Sequence, residues 1–328
     1  MTRKSLGILI TYHNERELLS ECLASLRASG EPDEIWVYDD ASTERPDPWI
    51  PAGMTVRVIR GDVIHGPAYG RNRLLEACHC DFVHFQDSDD LFDPAWCLTV
   101  REKLDNSNVD AVFTEIATFQ HGARATERVL NVKRLQTAPD LLDFCLKGPM
   151  LVPAGTYRRS LLQKIGGYRE TLWQSEDFDF HVRLALQQPA YEVIDVPLIV
   201  QRLRTESRSQ NTAQVWQSTI QAVTLLSKEI PGAYRSRLAE VAASAGSELF
   251  RHGARSEARA AFAIANRLGP PLFDKQWGLY RCVARTIGPM AAEYVALAYR
   301  KILPPALRNS MRNMGDRMGW HAKREGYF

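Results

Sequence analysis

Residues 81–90 constrain the fold of this chain more than any other stretch. An apolar, β-prone run, Phe82-Val83-His84-Phe85, is followed closely by three carboxylates, Asp87, Asp89 and Asp90. A buried strand that delivers several acidic groups to its carboxyl end is costly unless a cation offsets their repulsion. In open α/β sheets that end of the strands is where ligands bind, so the pattern predicts a cation-binding loop at the edge of such a sheet.

The acidic side chains also indicate which cation to expect. Hard oxygen ligands on a short loop suit Mg²⁺ or Mn²⁺, which keep open positions for phosphate oxygens. We therefore expect the carboxylates of this loop to bind one of these ions. The alternative is structural, since Asp89 or Asp90 could instead cap the helix indicated by Asp93-Pro94-Ala95-Trp96.

The segments before the acidic loop alternate between strand and helix patterns. Apolar runs predict strands at residues 6–12, 34–38 and 56–59. Asn14 is a candidate N-cap for a helix after the first strand, and Gly66-Pro67 opens a later helix. This alternation predicts a doubly wound, Rossmann-like α/β sheet with right-handed crossovers.

A second pair of acidic residues, Asp39 and Asp40, ends the second predicted strand. In this topology the pair opens onto the same edge of the sheet as Asp87 and Asp89, so we expect all four to face one ligand. The chain has no Gly-x-Gly-x-x-Gly after its first strand and no phosphate-binding Gly-Lys-Ser/Thr loop. Dinucleotide-dependent dehydrogenases and P-loop enzymes are therefore disfavoured.

Extended and helical patterns continue beyond the acidic loop. Residues 109–114 and 151–157 predict further strands. Ser175 is a candidate N-cap for a helix that carries Glu176 and Asp177 in its first turn, where the helix dipole favours anions.

Five segments, in this order, resemble the motifs of the family 2 glycosyltransferases of GT-A fold and lie within the first 210 positions. They are Thr11-Tyr12-His13-Asn14-Glu15, Tyr38-Asp39-Asp40-Ala41-Ser42, Gly66-Pro67 with Arg71-Asn72, Asp87-Ser88-Asp89, and Glu176-Asp177. The chain departs from the family at His13, where tyrosine is usual. A weaker match covers residues 202–209, which resemble the loop that closes over the pyrophosphate.

The resemblance implies a nucleotide-sugar transferase and gives these residues roles. The implied donor-binding residues are Thr11, Tyr12, His13, Asn14, Asp39, Asp40, Gly66, Arg71, Asp87, Ser88 and Arg204. Asp39 or Asp40 would accept the uracil N3–H, and Asp87 and Asp89 would bind Mn²⁺ or Mg²⁺. Asp177, beside Glu176, would be the catalytic base of an inverting transfer.

The implied partners are a nucleotide-sugar donor, most simply a UDP-sugar, and a saccharide or lipid-linked acceptor in surface-glycan synthesis. Two rival functions are a catalytically silent GT-A scaffold and a sugar nucleotidyltransferase. The latter would want a Gly-rich, Arg-containing loop after the first strand to grip a triphosphate, whereas this chain has Tyr12-His13-Asn14-Glu15 there.

Each assigned residue also has a structural alternative. Arg71 and Arg204 could form surface ion pairs, and Glu176 and Asp177 could serve only to favour the start of their helix. His13 either stacks on a base or is a hydrogen-bonded loop residue.

The residues expected to contact the donor base and the acceptor also have structural alternatives. Asp39 or Asp40 could bond backbone amides of its own turn, a common role for aspartate there. Trp173 either lines the acceptor side or packs in the core.

Helical patterns replace the strands in the last third of the chain. The sequence therefore divides into a GT-A catalytic domain at 1–210, a helical hairpin region at 211–270 and C-terminal helices at 271–328. The last region ends in a basic amphipathic segment with the apolar stripe Leu307, Met311, Met314 and Met318. Such a helix either packs on the protein or on a second copy, or lies on an anionic membrane surface.

Composition bears mainly on partners and compartment. The formal net charge is +2 and no basic patch is interleaved with aromatics, which disfavours nucleic-acid binding. Six cysteines without a framework spacing favour a reducing compartment, and Cys78-His79-Cys80 has no second ligand pair nearby, which disfavours zinc. With no long apolar run and no room for a signal peptide before the first strand, we expect a cytoplasmic protein, at most peripheral at the inner face of the membrane.

Overall fold

The computed structural model describes residues 3–120, 123–128, 130, 132–138, 140–148, 150–202, 212–270 and 278–302. The chain separates into two compact units, Met1–Gln210 and Asn211–Phe328. The predicted donor residue Arg204 and the predicted basic segment at 307–324 lie outside the described residues.

The first unit is built on a mixed sheet of nine strands among the described residues. The strands are β1 (Leu6–Tyr12), β2 (Glu34–Asp39), β3 (Arg57–Arg60), β4 (Phe82–Asp87), β5 (Leu91–Phe92), β6 (Ala111–Gln120), β7 (Ala123–Arg128), β8 (Gly155–Arg158) and β9 (Tyr191–Arg202). They lie in the order β3-β2-β1-β4-β8-β6-β9-β5, and β7 pairs with β6. The predicted doubly wound mixed sheet is confirmed.

Six α-helices accompany this sheet within the described residues. They are α1 (Arg16–Ser29), α2 (Pro67–Ala77), α3 (Trp96–Asn106), α4 (Leu141–Lys147), α5 (Arg159–Lys164) and α6 (Glu176–Ala185). Helix α2 packs on β1 and β2, whereas α1 contacts α3 and α6 contacts α4.

The parallel half of the sheet creates the crevice. Strand β1 lies between β2 and β4 and is parallel to both, with Thr11 beside Asp87 and Tyr12 beside Asp39. The chain runs from β1 to β2 and β3 on one side and then returns to β4 on the other side of β1. Such a reversal of strand order opens a crevice at the carboxyl ends of the strands.

Strand β4 is buried between two aromatic layers. His84 points to one face, where its ring centroid lies 4.6 Å from that of Trp96 on α3. Phe85 points to the other face, where its centroid lies 6.2 Å from that of Phe180 on α6. Because side chains alternate along a strand, Asp87 shares the face of Phe85 and therefore points to the side of α6.

Two parts of the sheet differ from the sequence prediction. The predicted strand at 151–157 begins only at Gly155, because Val152–Ala154 is a 3₁₀ turn built on Pro153. Strand β9 was not predicted at all. It contains Pro197, which lies where the pairing of β6 with β9 shifts register, a position where proline is tolerated.

Of the two predicted N-cap residues, Asn14 is wrong and Ser175 is at the predicted position. Helix α1 has Glu15 at its N-cap position, and no side chain caps it. Asn14 instead has a positive φ of 55° and accepts hydrogen bonds from Thr43, so it joins two loops. Ser175 is the N-cap residue of α6, but it has φ 57° and its side chain makes no capping hydrogen bond.

The second unit is helical throughout its described residues. Its α-helices are α7 (Thr212–Leu226), α8 (Arg235–Arg251), α9 (Arg255–Leu268), α10 (Gly278–Thr286) and α11 (Pro289–Ile302). Helices α8 and α9 lie within the region predicted as a helical hairpin, and Ala258, Ala261 and Ala265 of α9 are buried. No helix in the described ranges is both long and apolar enough to cross a membrane.

Candidate active site

The loops after β1 and β2 are hydrogen-bonded to each other. His13 Nδ1 donates to the carbonyl oxygen of Asp40 at 2.7 Å, and its Nε2 accepts from Asn14 Nδ2 at 3.1 Å, the tautomer being assigned from these partners. The Asn14 amide donates to Ser42 Oγ, and Asn14 Oδ1 accepts from the amide and hydroxyl of Thr43, each at 2.9 Å. His13 is thus a hydrogen-bonded loop residue, and only its ring face is left for a nucleobase.

Asp39 is fully buried at the end of β2. Its Oδ1 accepts from the Ser42 amide at 2.9 Å, and its Oδ2 lies 3.0 Å from Nη1 of Arg60, the last residue of β3. Next to it, Tyr12 is buried and Thr11 is half-buried on β1. Asp39 therefore fixes its own turn, which is the structural alternative foreseen for it.

Asp40 accepts hydrogen bonds from the turn that leads into α2. It is buried, and its two carboxylate oxygens accept from the amides of His65 at 2.8 Å and Gly66 at 2.9 Å. Gly66 has φ 86°, and a β-carbon built there would lie 3.1 Å from the ring of Trp173. Trp173 keeps 42% of its surface exposed, so it is not a core residue. This turn brings the predicted acceptor residue against the donor-side loop.

Arg71 joins the acidic loop to α6. Its Nη2 lies 2.9 Å from Asp87 Oδ1 and its Nη1 lies 2.8 Å from Glu176 Oε1, while its guanidinium lies 5.2 Å from the Tyr168 ring centroid. The side chain is only 4% exposed. Arg71 therefore forms a buried ion pair with two carboxylates, not the surface pair foreseen as its alternative, and both terminal nitrogens face protein acids.

The acidic loop presents carboxylates of different accessibility. Asp87 has 38% of its side chain exposed, and Asp89 is half-buried. Ser88 is buried between them, and its hydroxyl donates a short hydrogen bond to Glu15 Oε2. Ser88 therefore ties the loop to the end of β1, while its two neighbours keep access to the crevice.

Asp90 does not cap α3. No side chain caps that helix, and Asp90 Oδ1 instead accepts from the amide of Arg202, the last residue of β9, at 3.0 Å. Burial, and then the charges of Asp89 and Asp87, raise the pKa of Asp90 well above its ordinary value. Asp90 therefore joins the acidic loop to the end of β9.

Asp177 is a half-buried carboxyl in the first turn of α6. Its Oδ1 accepts from the Phe178 amide at 2.7 Å. Burial of the group and the neighbouring charge of Glu176 raise the pKa of Asp177 to about 7, against the opposing effect of Arg71. The side chain can therefore exchange a proton near neutral pH.

Sequence reasoning missed the residues behind Asp177. The Tyr157 hydroxyl donates to His181 Nε2 at 2.7 Å, and His181 Nδ1 donates to the carbonyl oxygen of Asp177 at 2.8 Å. Burial lowers the pKa of His181 to about 4, so it is neutral in this chain of hydrogen bonds. The spacing of four residues between Asp177 and His181 was the available signal, whereas Tyr157 comes from β8.

The predicted site residues of the described chain gather at one edge of the sheet. Thr11, Tyr12, His13 and Asn14 lie at the end of β1, Asp39 and Asp40 at the end of β2, Gly66 and Arg71 at the start of α2, Asp87, Ser88 and Asp89 after β4, and Glu176 and Asp177 on α6. Hydrogen bonds of His13, Asn14, Asp40, Ser88 and Arg71 link these groups. Arg204 lies outside the described residues.

Residues 7–166 match the sequence profile of glycosyl transferase family 2. A protein named as an uncharacterized glycosyltransferase in Haemophilus influenzae is 26% identical over 213 residues, which cover 63% of this chain and 71% of that protein. The succinoglycan biosynthesis protein ExoU of Rhizobium meliloti is 26% identical over 204 residues, covering 57% of this chain and 58% of that protein. The match to a pre-mycofactocin glycosyltransferase of Mycobacterium tuberculosis covers 44% of its length, so the similarity reaches about half of these last two relatives.

Solved structures resemble the fold over most of the chain. TarS 1–349 of S. aureus in complex with UDP-GlcNAc gives a TM-score of 0.66 at 17% identity and covers 90% of this chain and 92% of its own. The mannosyltransferase PcManGT of Pyrobaculum calidifontis, solved with GDP-Man and Mn2+, gives 0.56 at 17% identity, covering 89% and 81%. Likeness at this level of identity establishes the GT-A fold. The profile, which spans β1 to α5, and the named relatives identify residues 7–166 as a family 2 glycosyltransferase region.

Proposed function

We propose that this glycosyltransferase moves a sugar from a uridine diphosphate donor to an acceptor hydroxyl, in a single displacement that inverts the anomeric carbon. The observation that carries the proposal is the contact of Arg71 with both Asp87 and Glu176. Through it, the acidic loop and the carboxyl pair of α6 come within reach of one guanidinium. A site for the leaving diphosphate and a base for the attacking hydroxyl thus lie side by side.

Asp87 and Asp89 would hold Mn²⁺ or Mg²⁺. The donor set fits such an ion, because both are partly exposed carboxylates on one short loop and supply the oxygen ligands that these cations prefer. When bound, the ion would neutralise charge on the departing diphosphate. The Mn2+ in the PcManGT complex supports this choice of cation.

Asp177 would be the general base. Its pKa of about 7 makes the carboxylate a stronger proton acceptor than an ordinary aspartate, at a pH where much of it is still ionised. The Phe178 amide orients the carboxylate, and His181 holds the carbonyl of the same residue. A base that deprotonates the acceptor directly opposite the leaving group gives inversion.

The donor would be read by the loops of β1 and β2. Asp40 and Asp39 engage backbone amides, yet each carboxylate oxygen has a second lone pair that can accept the imide N–H of uracil. The ring face of His13 is the surface on which the base would lie. The TarS complex with UDP-GlcNAc supports a uridine donor, whereas the PcManGT complex makes GDP-Man the first competitor to test.

The acceptor would bind against Trp173. This exposed indole lies on Gly66 and precedes the carboxyl pair of α6 by only a few residues, so a sugar ring stacked on it would lie near the base. The name of the ExoU relative, a succinoglycan biosynthesis protein, supports a saccharide or lipid-linked acceptor in glycan synthesis.

The decisive experiment combines donor binding with turnover. Nucleotide sugars are screened by thermal shift with and without Mn²⁺, because a ligand at 100 times its Kd adds about 2.7 kcal/mol to the stability of the state that binds it. Asp177→Asn should keep this shift and lose transfer by roughly 10²- to 10⁴-fold. Asp89→Asn should lose the Mn²⁺-dependent part of the shift.

Asp62→Asn, at an exposed position, serves as the matched control and should change neither quantity. Transfer at the wild-type rate by Asp177→Asn would contradict the assignment of the base. Retention of anomeric configuration in the product, measured by NMR, would contradict the single displacement. A silent scaffold would bind donor in the thermal shift but release no UDP with any acceptor.

A further inference from the structure

Two cysteines and a glutamate meet at the end of the sheet opposite the candidate active site. Glu34 begins β2, Cys78 follows α2, and Cys80 lies just before β4, so all three belong to the amino ends of parallel strands. One carboxylate oxygen and the two sulfur atoms lie within 4.8 Å of one another. The mechanism proposed above uses none of them.

The sequence leaves space for the two sulfur atoms. Both cysteines are buried, and they lie over Gly7 of β1, which pairs with Glu34. A β-carbon at Gly7 would lie 2.4 Å from Cys78 Sγ and 3.4 Å from Cys80 Sγ, so any larger residue there would require the Cys78 thiol to shift. Glycine at this point of β1 thus leaves room for both thiols.

Glu34 is held in the manner of a metal-binding carboxylate. Its Oε2 accepts from Trp36 Nε1 at 2.6 Å and lies 3.2 Å from Arg57 Nη1. Ligating carboxylates are commonly hydrogen-bonded in this way by outer partners. The Glu34 side chain is 18% exposed, which gives an ion a route to the buried sulfurs.

Positive charge also flanks the cluster. Arg57 faces Glu34, and Arg159 Nε donates to the carbonyl oxygen of Cys80 at 3.2 Å. Two thiolates and one carboxylate around a divalent ion carry a net charge of −1, which these guanidinium groups offset in part.

We propose that Cys78, Cys80 and Glu34 bind a zinc-class divalent cation, with water at the fourth position. With zinc–sulfur bonds of about 2.3 Å, a tetrahedral site separates two sulfur ligands by about 3.8 Å, so atoms already within 4.8 Å need only small side-chain movements. Cys78-His79-Cys80 alone offers too few ligands, but the fold supplies the third from a residue far earlier in the chain.

Co²⁺ is the probe for this site, because thiolate ligands give it a near-ultraviolet charge-transfer band. The reduced, metal-free full chain should develop this band with one equivalent of Co²⁺ and lose it when Zn²⁺ is added. Cys78→Ser and Cys80→Ser should each weaken the band strongly. Glu34→Gln, which keeps both thiols, should lower the Co²⁺ affinity roughly 10-fold or more.

Cys97→Ser is the matched control, since Cys97 is also a buried free thiol and is not part of the cluster. It should leave the band and the affinity unchanged. All variants are checked for folding by their melting temperature. If a serine variant unfolds, the Co²⁺ affinity of Glu34→Gln tests the proposal instead. The proposal fails if the wild-type chain gives no charge-transfer band, if Glu34→Gln binds Co²⁺ as tightly as wild type, or if peptide mapping finds a Cys78–Cys80 disulfide in the native protein. Donor binding should be unaffected throughout, so failure here leaves the proposed transferase function standing.

Discussion

The raised pKa of Asp177 predicts how the rate of sugar transfer depends on pH. Burial and Glu176 raise its pKa to about 7, while Arg71 acts in the opposite direction and Asp87 adds a further negative charge. Because the base must be ionised to accept a proton, the transfer rate should fall about tenfold for each pH unit below about 7 and level off above it. Initial rates at saturating acceptor between about pH 5 and pH 9 measure this.

Glu176→Gln offers an internal check on that profile. Removing the neighbouring negative charge removes one cause of the raised pKa of Asp177, so the midpoint should move to lower pH. A midpoint that stays in place would mean that another group limits the rate.

The same raised pKa predicts a cost in stability. Folded Asp177 holds its proton more tightly than an unfolded aspartate, whose pKa is about 3.9, so ionisation destabilises the fold as pH rises from about 4 to about 7. Asp177→Asn should therefore raise the melting temperature at pH 8 and leave it almost unchanged at pH 4. An equal change at both values would indicate a loss of packing, not of charge.

Arg71 can be tested for positioning against phosphate binding. Arg71→Lys keeps a positive charge but cannot contact Asp87 and Glu176 with two nitrogens in the same plane. If the residue aligns the two carboxylates, kcat should fall while the Kd for UDP stays within about twofold of wild type. A Kd for UDP that rises in parallel would instead support the direct donor contact of Arg71 that the family resemblance implies.

At the scale of elements, α6 is fixed by a buried cluster of charges. Asp179 is fully buried between Arg169, at 2.5 Å, and Arg183, at 2.7 Å, and Arg183 also donates to the carbonyl oxygens of Ile165 and Gly167. The cluster therefore fastens the helix that carries the proposed catalytic pair to the turn after α5. Asp179 is close to that pair in sequence, but these ion pairs give it a structural role.

Removing the acid from this cluster should be costly. Asp179→Ala leaves Arg183, only 7% exposed, without its carboxylate, and unpaired buried charges cost about 3–5 kcal/mol. Urea unfolding should show a loss of that size, with Asp62→Asn as the exposed control. A loss below about 1 kcal/mol would mean that water replaces the acid and that the backbone contacts of Arg183 hold α6.

The elements that the sequence predicts well are those whose signal is local. Strands β1, β2 and β4 are apolar runs that end in polar residues, and they need no partner to be recognised. Strand β9 is obscured by Pro197, whose position is acceptable only because β6 shifts its register beside it. Similarly, the two partners of Arg71 lie 16 and 105 residues away, so its burial follows from the fold and not from its neighbours in sequence.

Two glycine substitutions can distinguish the effect of the Trp173 contact from the effect of backbone strain. Gly66 and Gly53 both have positive φ, 86° and 82°, but only a β-carbon at Gly66 would approach Trp173, whereas one at Gly53 would meet nothing within 4 Å. Gly66→Ala and Gly53→Ala should each lose roughly 1–2 kcal/mol of stability. Only Gly66→Ala should also raise the KM for the acceptor, and equal acceptor KM values in the two variants would remove Trp173 from the acceptor site.

At the scale of the whole molecule, the predicted chemistry belongs to one of the two units. Every described residue with a proposed role in transfer lies in Met1–Gln210, and the family profile ends at residue 166. Solved GT-A structures, in contrast, resemble the chain over about nine tenths of its length. The proposed division at residue 210 therefore predicts that a bound donor protects residues of the first unit only.

Hydrogen exchange with the matching nucleotide sugar and Mn²⁺ tests that division. At 100 times its Kd, a ligand lowers the population of any opening that destroys its site by about 100-fold. Amides near residues 11–14, 39–42 and 87–90 should therefore exchange more slowly by up to that factor, because their loops form the proposed donor site. Peptides from α8 and α9 should keep their rates, since that unit can open without releasing the donor. Equal slowing in both units would show that the chain opens as one cooperative structure, and the catalytic domain could then not be assigned to residues 1–210 alone.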